Sequence, residues 1–484
     1  MKIFIKGHEF KYEIEKLCRI FLPFERFDFQ TQNQQECDIG VILDKGNEYK
    51  MVAFLKLLGT QTTKTATVSV CDEKESERQL AVLLYNCFCE LTGYSSKWGI
   101  LTGVRPAKLY SRIQKQNGTD YADDYFKNKL LVSEQKLELT KASVLGEAAI
   151  TELSGEKSFS LYIGIPFCPS RCSYCSFVSH SVESAKKLIP QYVEFLCREI
   201  EATGKIATDL RLKLETVYIG GGTPTTLSAE ELTKIMDAVK HSFNLNSVRE
   251  YTVEAGRPDT ITKERLIAIK QGGADRISIN PQTMNDQILK SIGRKHTAKE
   301  TVQALNLANQ VGFKNINMDL IAGLPCDTTQ SFKNTVDQII ELNPESVTIH
   351  TLCLKRSATL NQGDLSWLSQ GNETSLMVDY GKQALANAGY NPYYMYRQSK
   401  MVGNLENVGY SKRGYEGLYN VYIMDETHTI LGCGATAVTK LRRYGENSIE
   451  RIYNFKYPYE YISRFDEQLQ RKEQIYSFYG EQHK

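Results

Sequence analysis

Three cysteines, Cys168, Cys172 and Cys175, lie within the short segment GIPFCPSRCSYCSF. Thiolates are soft ligands that suit zinc or an iron–sulfur cluster. Pro166 and Pro169 favour a loop here, because proline fixes its backbone and lacks the N–H group that regular structure needs. The preceding SFSLYIGI is typical of a buried strand. The sequence therefore predicts a metal-binding loop at the end of a strand.

Two kinds of metal site are compatible with this spacing. His180 follows Cys175 by five residues and would complete a structural zinc site with three cysteines and one histidine. The same thiolates also suit an iron–sulfur cluster. The spacing alone does not decide between the two sites, so the surrounding elements must.

From residue 158 onward the chain alternates predicted strands with predicted helices. Six strand-then-helix units follow one another, and their strands are SFSLYIGI, ETVYIGG, REYTVEAG, ADRISINPQ, KNINMDLIAGLP and PESVTIHTLCL. Such alternation requires parallel strands with right-handed crossovers, which predicts an α/β fold, either a barrel or an open doubly wound sheet. In both folds, ligands bind at the carboxyl ends of the strands.

Glycines and polar residues follow several of these strands. They are Gly220, Gly221, Gly222, Glu254, Gln282 and Asp319. Singly, each has an ordinary explanation as a turn residue, a solvated carboxylate or a helix cap. Since the carboxyl ends of parallel strands share one edge, the residues and the three cysteines together predict a single ligand site.

Composition narrows the class of protein. The chain has 484 residues, enough for two or three domains, and 59 Lys and Arg nearly balance 57 Asp and Glu. A net charge of +2 disfavours the broad basic field that nucleic-acid binding needs. The N-terminus becomes charged within a few residues, and no apolar run reaches the roughly 18 residues of a membrane span. We expect a soluble cytoplasmic protein with reduced cysteines.

The motifs resemble those of radical S-adenosylmethionine (SAM) enzymes. CPSRCSYC has their C-x₃-C-x₂-C spacing with an aromatic residue, Tyr174, before the last cysteine, and GGGTPT resembles their glycine motif. In order, IGIPFC, GGGTPTTL, ISINPQTM through IGRKHT, and INMDLIAGLP resemble the oxygen-independent coproporphyrinogen III oxidase family. WGILTGVRP and NLENVGY resemble segments of its HemZ type. The resemblance extends over the whole chain and is strongest from 160 to 325.

The resemblance implies a fold and a division into domains. Residues 158–355 would form a partial (β/α)₆ radical SAM barrel. Residues 1–150 would form a small N-terminal α/β appendage, which their alternating and helical apolar patterns also favour. Residues 356–484 would form a C-terminal α+β extension, where a Tyr-rich segment indicates sheet packing or, alternatively, a substrate lid.

The resemblance also implies cofactors and the residues that bind them. Cys168, Cys172 and Cys175 would ligate three irons of a [4Fe–4S] cluster and leave the fourth iron open to SAM. A second SAM molecule would lie close to the first. The residues that match SAM-contacting positions are Tyr162, Tyr174, Gly221, Gly222, Thr223, Glu254, Gln282, Arg294 and Asp319. LGCGATAV resembles a glycine loop that returns to the cofactor site.

Three departures from the family pattern weaken any transfer of substrate identity. Phe177 stands where the best-studied members have a further cysteine, and Gly164 stands where they have a histidine. EAGRP replaces their polar E-x-D-P stretch.

The implied reaction is oxidative decarboxylation of coproporphyrinogen III to protoporphyrinogen IX in heme biosynthesis. Two propionates would become vinyl groups, and Arg294, Arg397 and Lys400 are the candidate cations for the propionates. The implied partners are the tetrapyrrole substrate and an electron donor such as flavodoxin or ferredoxin. We expect a monomer.

Two other kinds of function remain open at this point. A heme-binding trafficking protein on the same scaffold would carry a C-terminal His-Asn-x-x-Tyr-Trp motif, which neither Trp98 nor Trp367 completes. Related radical SAM enzymes methylate, cyclopropanate or anaerobically open the heme ring. The flanking regions that would choose among these substrates carry the weakest sequence signals.

Overall fold

The computed structural model describes residues 1–175, 179–353, 366–446 and 448–480, so Phe177 lies outside the described residues. The chain folds into two compact units. The first comprises Met1–Ala142, Thr351–Leu376 and Tyr396–Asn407, and the second comprises Ser143–His350, Met377–Met395 and Val408–Lys484.

The N-terminal part of the chain forms an α/β layer. Its elements are β1 (Lys2–Lys6), α1 (Lys11–Phe21), β2 (Asp28–Gln30), β3 (Ile39–Lys45), β4 (Glu48–Leu57), β5 (Thr60–Ser69), α2 (Glu73–Thr92), α3 (Pro106–Asn117), α4 (Thr119–Asp124) and α5 (Glu134–Thr151). The five strands form one sheet in the order β2-β1-β3-β4-β5. Helix α2 packs on this sheet, begins at an Asp72 cap and ends at Gly93 with φ 67°. The α/β class expected for this part of the chain is confirmed, while its bound at residue 150 stays a prediction.

The core of the first unit holds a buried ion pair. Lys136 and Trp98 both donate to the Glu406 carboxylate, at 2.6 Å and 2.8 Å. The Arg397 guanidinium lies over the Trp98 ring, 5.0 Å from its centroid. Because a lone buried charge is costly, these partners compensate for burial of the carboxylate.

The central part of the chain contains the six predicted strand-then-helix units. Its elements are β6 (Ser158–Ile165), β7 (Phe167–Cys168), β8 (His180–Ser181), α6 (Val182–Ala185), α7 (Ile189–Asp209), β9 (Lys213–Gly221), α8 (Ala229–Ser242), β10 (Glu250–Glu254), α9 (Lys263–Gln271), β11 (Arg276–Ser278), α10 (Asp286–Ser291), α11 (Ala298–Val311), β12 (Ile316–Ala322), α12 (Thr329–Leu342) and β13 (Ser346–Thr351). Strands β6, β9, β10, β11 and β12 are successive parallel neighbours, and β13 lies beside β12. This order is that of a partial (β/α)₆ barrel.

The C-terminal part of the chain extends this sheet at both edges. Its elements are α13 (Ser366–Asn387), β14 (Asn391–Tyr396), β15 (Asn407–Ser411), α14 (Leu418–Asp425), β16 (Thr429–Cys433), β17 (Val438–Arg442), β18 (Ile449–Tyr453), α15 (Pro458–Ser463), α16 (Phe465–Lys472) and α17 (Gln474–Gly480). The resulting order is β14-β15-β13-β12-β11-β10-β9-β6-β16-β17-β18. Residues 356–484, expected to form one extension, therefore contribute to both compact units.

The Tyr-rich segment supplies side chains to the sheet. Tyr393 and Tyr394 on β14 and Tyr410 on β15 are buried. They pack as sheet residues, which is the first of the two interpretations above, and the substrate lid stays a prediction. Among the described residues, no helix is both long enough and apolar enough to cross a membrane.

Candidate cofactor site

The cysteine loop leaves the sheet at the carboxyl end of β6. Cys168 ends the short strand β7, which pairs with β8. The Cys175 N–H donates to the Cys172 carbonyl at 3.2 Å, and the Ser173 N–H donates to the Ile292 carbonyl at 3.1 Å. Backbone hydrogen bonds therefore hold the loop that carries the three thiols, as predicted from its prolines.

The glycine motif after β9 lies directly against Cys168. A Cβ atom on Gly222 would lie 2.6 Å from the Phe167 carbonyl oxygen and 3.0 Å from the Cys168 sulfur. The Thr223 hydroxyl donates to the same sulfur at 3.5 Å. Only glycine leaves this space open, so the motif forms a cradle beside the thiol.

A second donor reaches the sulfur of Cys172. Arg257, from the EAGRP segment after β10, donates to Cys172 Sγ at 3.7 Å and to the Ser170 hydroxyl at 3.2 Å. Cationic and hydroxyl donors around thiols are typical of the outer shell of an iron–sulfur cluster. Three thiols on one loop, the glycine cradle and these donors fit such a cluster.

The described residues do not gather around one ion. Among them, no three His, Cys, Asp or Glu side chains lie close enough to hold a single metal. His180 lies on β8, with its ring edge against Tyr457 at a centroid distance of 6.1 Å. A zinc site needs four donors around one ion, whereas a cubane binds each thiolate at a separate iron. The cluster-ligand roles of Cys168, Cys172 and Cys175 stay a prediction that this donor set fits.

The two faces of the parallel strands differ in burial near the carboxyl ends of the strands. Leu161, Val217 and Val253 face outward and are fully buried under the helices. The residues that follow them, Tyr162 and Tyr218 and then Glu254, face the other way and are only half-buried. Strand alternation thus brings polar and aromatic groups to an accessible surface near the cysteine loop.

Glu254 lies on this face at the end of β10. It accepts hydrogen bonds from the Tyr218 hydroxyl and from the Gly221 backbone N–H. The pKa of the Glu254 carboxyl is raised to about 7, because burial and, to a smaller extent, the nearby Asp319 carboxylate outweigh the two hydrogen bonds, which act in the opposite direction. Gly221 has φ 110°, which favours glycine at this turn.

Asp319 lies at the end of β12 among polar partners. Asn317 donates to its Oδ1 at 2.7 Å, and His350 Nε2 lies 3.7 Å from its Oδ2. Burial acts to raise the pKa of Asp319, but hydrogen bonds from His350, Asn317 and Thr348 outweigh it, so the pKa is lowered. Asp319 is therefore a carboxylate held ionised.

Gln282 and Arg294 lie near the same strand ends. Gln282 is buried with φ 70° and donates its backbone N–H to the Asp319 carbonyl at 2.9 Å. Arg294 donates to the Tyr174 hydroxyl at 2.9 Å and to the carbonyls of Gly256 and Asn280 at 3.1 and 3.3 Å. Arg294 thereby fixes Tyr174 inside the cysteine loop.

Three stacked tyrosines line the inner face. The rings of Tyr218 and Tyr419 lie 4.4 Å apart, and Tyr162 lies 6.2 Å from each. Sequence reasoning found Tyr162 and missed the other two. The register of Tyr162 opposite Tyr218 on neighbouring strands is a signal that could have found Tyr218. Tyr419, on α14, carries no such signal.

The glycine loop after β16 lies at the end of β6. A Cβ on Gly434 would lie 2.5 Å from the Gly164 carbonyl, and a Cβ on Gly164 would lie 3.0 Å from the Ala435 carbonyl. Tyr192 joins the two segments, because its hydroxyl donates to the Gly164 carbonyl and accepts from the Ala435 N–H. This close approach leaves little room for a side chain at Gly164.

Two of the candidate substrate cations belong to the first unit. Arg397 is buried and donates to the carbonyls of Leu101, Gly103 and Asn404. Its burial lowers the guanidinium pKa to about 10. Lys400 lies over the Phe24 ring. The contacts of Arg397 are structural and use the WGILTGVRP segment, so they do not support a role in binding substrate.

The chain is similar in sequence to a known superfamily and to two kinds of heme-related protein. Residues 162–339 match the model of the radical SAM superfamily. The chain is 38% identical over 424 residues to the oxygen-independent coproporphyrinogen-III oxidase-like protein HemZ of Bacillus subtilis, covering 85% of each chain. It is 31% identical over 293 residues to the heme chaperone HemW of Lactococcus lactis, covering 60% of this chain and 72% of that protein.

A solved structure has the same fold. The coproporphyrinogen III oxidase HemN from Escherichia coli, a radical SAM enzyme, superposes with a TM-score of 0.51 at 21% identity, over 67% of this chain and 73% of that one. Radical SAM membership implies a [4Fe–4S] cluster and SAM, and the cysteine loop and glycine cradle fit them. The chain therefore belongs to the radical SAM superfamily and, within it, to the family of oxygen-independent coproporphyrinogen III oxidase-like proteins.

Proposed function

We propose that this protein is a radical SAM oxidoreductase that decarboxylates coproporphyrinogen III to protoporphyrinogen IX. The observation that carries the proposal is the shared edge of the parallel strands, where the partly exposed Glu254 and Asp319 lie at the same strand ends as the three-thiol loop. The similarity to coproporphyrinogen oxidase-like proteins over most of the chain supports a tetrapyrrole substrate.

In this proposal, the chain's own residues bind and orient the cofactors. Cys168, Cys172 and Cys175 hold the cluster. The Glu254 and Asp319 carboxylates bind cationic or hydroxyl groups of SAM, and the glycine motif allows backbone to approach it. The tyrosines on the inner face offer flat apolar surface, which excludes water from the reacting groups. When bound, the cluster and SAM supply one-electron oxidising chemistry.

The proposed reaction balances for each propionate. One C–H bond at the β-carbon, the C–C bond to the carboxylate and the C5′–S bond of SAM would break, and a vinyl C=C bond and a C–H bond of 5′-deoxyadenosine would form. The products are the vinyl group, carbon dioxide, methionine and 5′-deoxyadenosine, the last carrying the removed hydrogen atom. One electron enters from a reduced donor such as flavodoxin or ferredoxin, and one electron leaves to an acceptor.

The test is anaerobic incubation of reconstituted protein with SAM, reductant, an electron acceptor and coproporphyrinogen III, followed by mass spectrometry of the tetrapyrrole. We expect loss of two carboxyl groups and formation of 5′-deoxyadenosine. Cleavage of SAM with no vinyl product or carbon dioxide would reject this substrate and favour methylation, cyclopropanation or ring opening of a tetrapyrrole.

The cluster assignment has its own test. Cys168→Ala, Cys172→Ala and Cys175→Ala should each abolish the brown colour and the content of about four irons and four sulfides per chain, because each removes one thiolate ligand. The exposed Cys326 is the matched control, and Cys326→Ala should keep the cluster. Stoichiometric zinc without acid-labile sulfide would contradict the assignment.

A second candidate function is heme carriage, which the similarity to a heme chaperone favours. The same purified protein separates the two functions. A carrier would bind heme with a defined absorption band and leave coproporphyrinogen III unchanged, whereas the decarboxylase would turn it over.

A further inference from the structure

A buried arginine lies against one of the three thiols. Arg257 follows β10 and is 3% exposed, and Cys172 is 8% exposed. The Arg257 guanidinium donates to Cys172 Sγ at 3.7 Å and to the Ser170 hydroxyl at 3.2 Å. Hence a positively charged guanidinium contacts a sulfur of the cysteine loop in a largely buried site.

Asp259 holds this guanidinium in place. Its two carboxylate oxygens accept from Nε and from the second terminal nitrogen of Arg257, each at 2.9 Å. This bidentate pairing leaves one edge of the guanidinium aimed at Ser170 and Cys172. The side chain of Asp259 is 17% exposed, so its charge is partly screened and offsets the arginine only in part.

Two other arginines of the second unit donate their hydrogen bonds to other groups. Arg294 donates to the Tyr174 hydroxyl and to two backbone carbonyls. Arg265, on α9, donates to the carbonyls of Leu227 and Thr260. In the part of the chain that the structure describes, Arg257 donates a hydrogen bond to the Cys172 thiol, and Arg294 interacts with the same thiol through its charge.

A positive charge at a cluster sulfur has a defined electrostatic effect. Reduction adds one electron and makes the cluster and its thiolates more negative. A neighbouring cation and an N–H···S hydrogen bond stabilise that extra charge and raise the reduction potential. No bond is made or broken in this step, since one electron simply passes from the external reductant to the cluster.

We propose that Arg257 sets the reduction potential of the iron–sulfur cluster through its charge and its hydrogen bond to Cys172, with Asp259 as the residue that positions it. This inference rests on the proposed role of Cys172 as a cluster ligand. Arg257 is a positioning and tuning residue that acts through the thiolate, and the EAGRP segment gains a function that its divergence from the family pattern left unexplained.

The test is a redox titration of the anaerobically reconstituted full-length protein without SAM, monitored by electron paramagnetic resonance. At the wild-type midpoint, Arg257→Gln should lower the ratio of reduced to oxidised cluster at least tenfold, a negative shift of about 59 mV for a one-electron couple. Arg257→Lys keeps the charge and should lie between the two. The matched control Arg265→Gln should stay within twofold of wild type.

A ratio for Arg257→Gln within twofold of wild type, with the cluster retained, would overturn the inference. Where Arg257→Gln fails to retain the cluster, Asp259→Asn decides. It keeps one oxygen acceptor for the guanidinium and removes a negative charge, so the ratio of reduced to oxidised cluster should rise at least threefold. An unchanged or lower ratio would overturn the inference.

The same samples separate this inference from the proposed function. Wild-type protein without a cluster signal would reject both the ligand assignment and the inference. A cluster whose reduction potential does not change when Arg257 is substituted would reject the inference alone. A cluster that responds to Arg257 in a protein that forms no vinyl product would reject the decarboxylase and leave the inference standing.

Discussion

Two glutamates of the second unit, Glu199 and Glu254, differ in how completely their charge is compensated. Glu199 on α7 is fully buried, and Lys472 lies 3.0 Å from its carboxylate. The carboxylate also accepts hydrogen bonds from the Gly434 N–H, the Tyr461 hydroxyl, and the Asn454 and Gln468 amides. These donors come from the loop after β16, from the chain after β18 and from the C-terminal helices, so Glu199 joins distant parts of the sequence.

Glu254 has fewer partners at a more open place. Its partners in the described part of the chain are the Tyr218 hydroxyl, the Gly221 N–H and the electrostatic attraction of His350. Burial raises its pKa to about 7, which means that the protein itself stabilises the ionised form poorly. The carboxylate is left able to accept a ligand cation.

The difference separates structure from function. A buried carboxylate that is paired with a cation and several hydrogen-bond donors has a fully compensated charge, and its removal breaks contacts that stabilise the fold. A half-buried carboxylate with an elevated pKa at the ends of parallel strands has a charge that is compensated only when a ligand binds. The same substitution, glutamate to glutamine, should therefore have opposite consequences at the two positions.

Glu199→Gln should give the largest effect on stability. It leaves the Lys472 ammonium buried without its counter-charge, which costs about 3–5 kcal/mol of unfolding free energy. The measurement is anaerobic urea unfolding of the full-length protein. Glu201→Gln, at an exposed position on the same helix, is the matched control and should change stability by less than about 0.5 kcal/mol. Equal stability of the Glu199 and Glu201 variants would contradict the structural role.

Glu254→Gln should instead affect activity. With the iron content unchanged, formation of 5′-deoxyadenosine should fall about a hundredfold, because one charged positioning contact to the cofactor is lost. The assay is product quantification by chromatography under reducing, anaerobic conditions. Glu230→Gln, on the exposed face of α8, serves as the control and should keep full activity. Full cleavage in Glu254→Gln would remove this residue from the site.

A third carboxylate, that of Asp319, has a charge that is compensated to an intermediate degree, in part by His350. His350→Leu removes a polar partner of Asp319, so the pKa of Asp319 should move upward and SAM affinity should fall about tenfold, or about 1.4 kcal/mol. His350→Gln retains a donor and should recover part of the affinity. The measurement is SAM binding by equilibrium dialysis of the reconstituted protein. Unchanged affinity in His350→Leu would show that Asp319 does not depend on this partner.

Local pattern predicted the elements that position the site. The alternation of strands and helices predicted the six strand-then-helix units, and the rule that ligands bind at the carboxyl ends of strands selected Glu254 and Asp319. The capping box at Ser228 likewise marks the start of α8, as its sequence indicates. These features can be predicted because they depend on residues that are close together in the sequence.

Contacts between segments that are far apart in the sequence could not be predicted from it. Strand β16 pairs with β6, and Tyr419 reaches the inner face because the Glu250 carboxylate accepts the N–H groups at the start of α14. Arg397 was a candidate for binding the substrate because arginines bind carboxylates, yet its two terminal nitrogens donate to carbonyls of the first unit. Local sequence gives the chemistry of such a side chain but not what surrounds it.

The smallest expected effect concerns stability and pH at Glu254. Its pKa is raised to about 7 in the folded protein, above its usual value of 4.5, so the folded state binds this proton more tightly than the unfolded state. The resulting stabilisation is complete below pH 4.5 and is lost as pH rises to about 7. Glutamine carries no charge to desolvate. Glu254→Gln should therefore gain stability relative to wild type between pH 5 and pH 8.

Solvent reduces the size of this gain, because the side chain is half-buried, and we expect about 1 kcal/mol. The measurement is the difference in Tm between Glu254→Gln and wild type, recorded without SAM at pH 5 and pH 8. The difference should be more positive at pH 8, while Glu199→Gln lowers Tm at both values. A difference for Glu254→Gln that does not change with pH would mean that the carboxylate is already compensated. Glu254 would then resemble Glu199, and the electrostatic argument for placing a ligand at the end of β10 would fail.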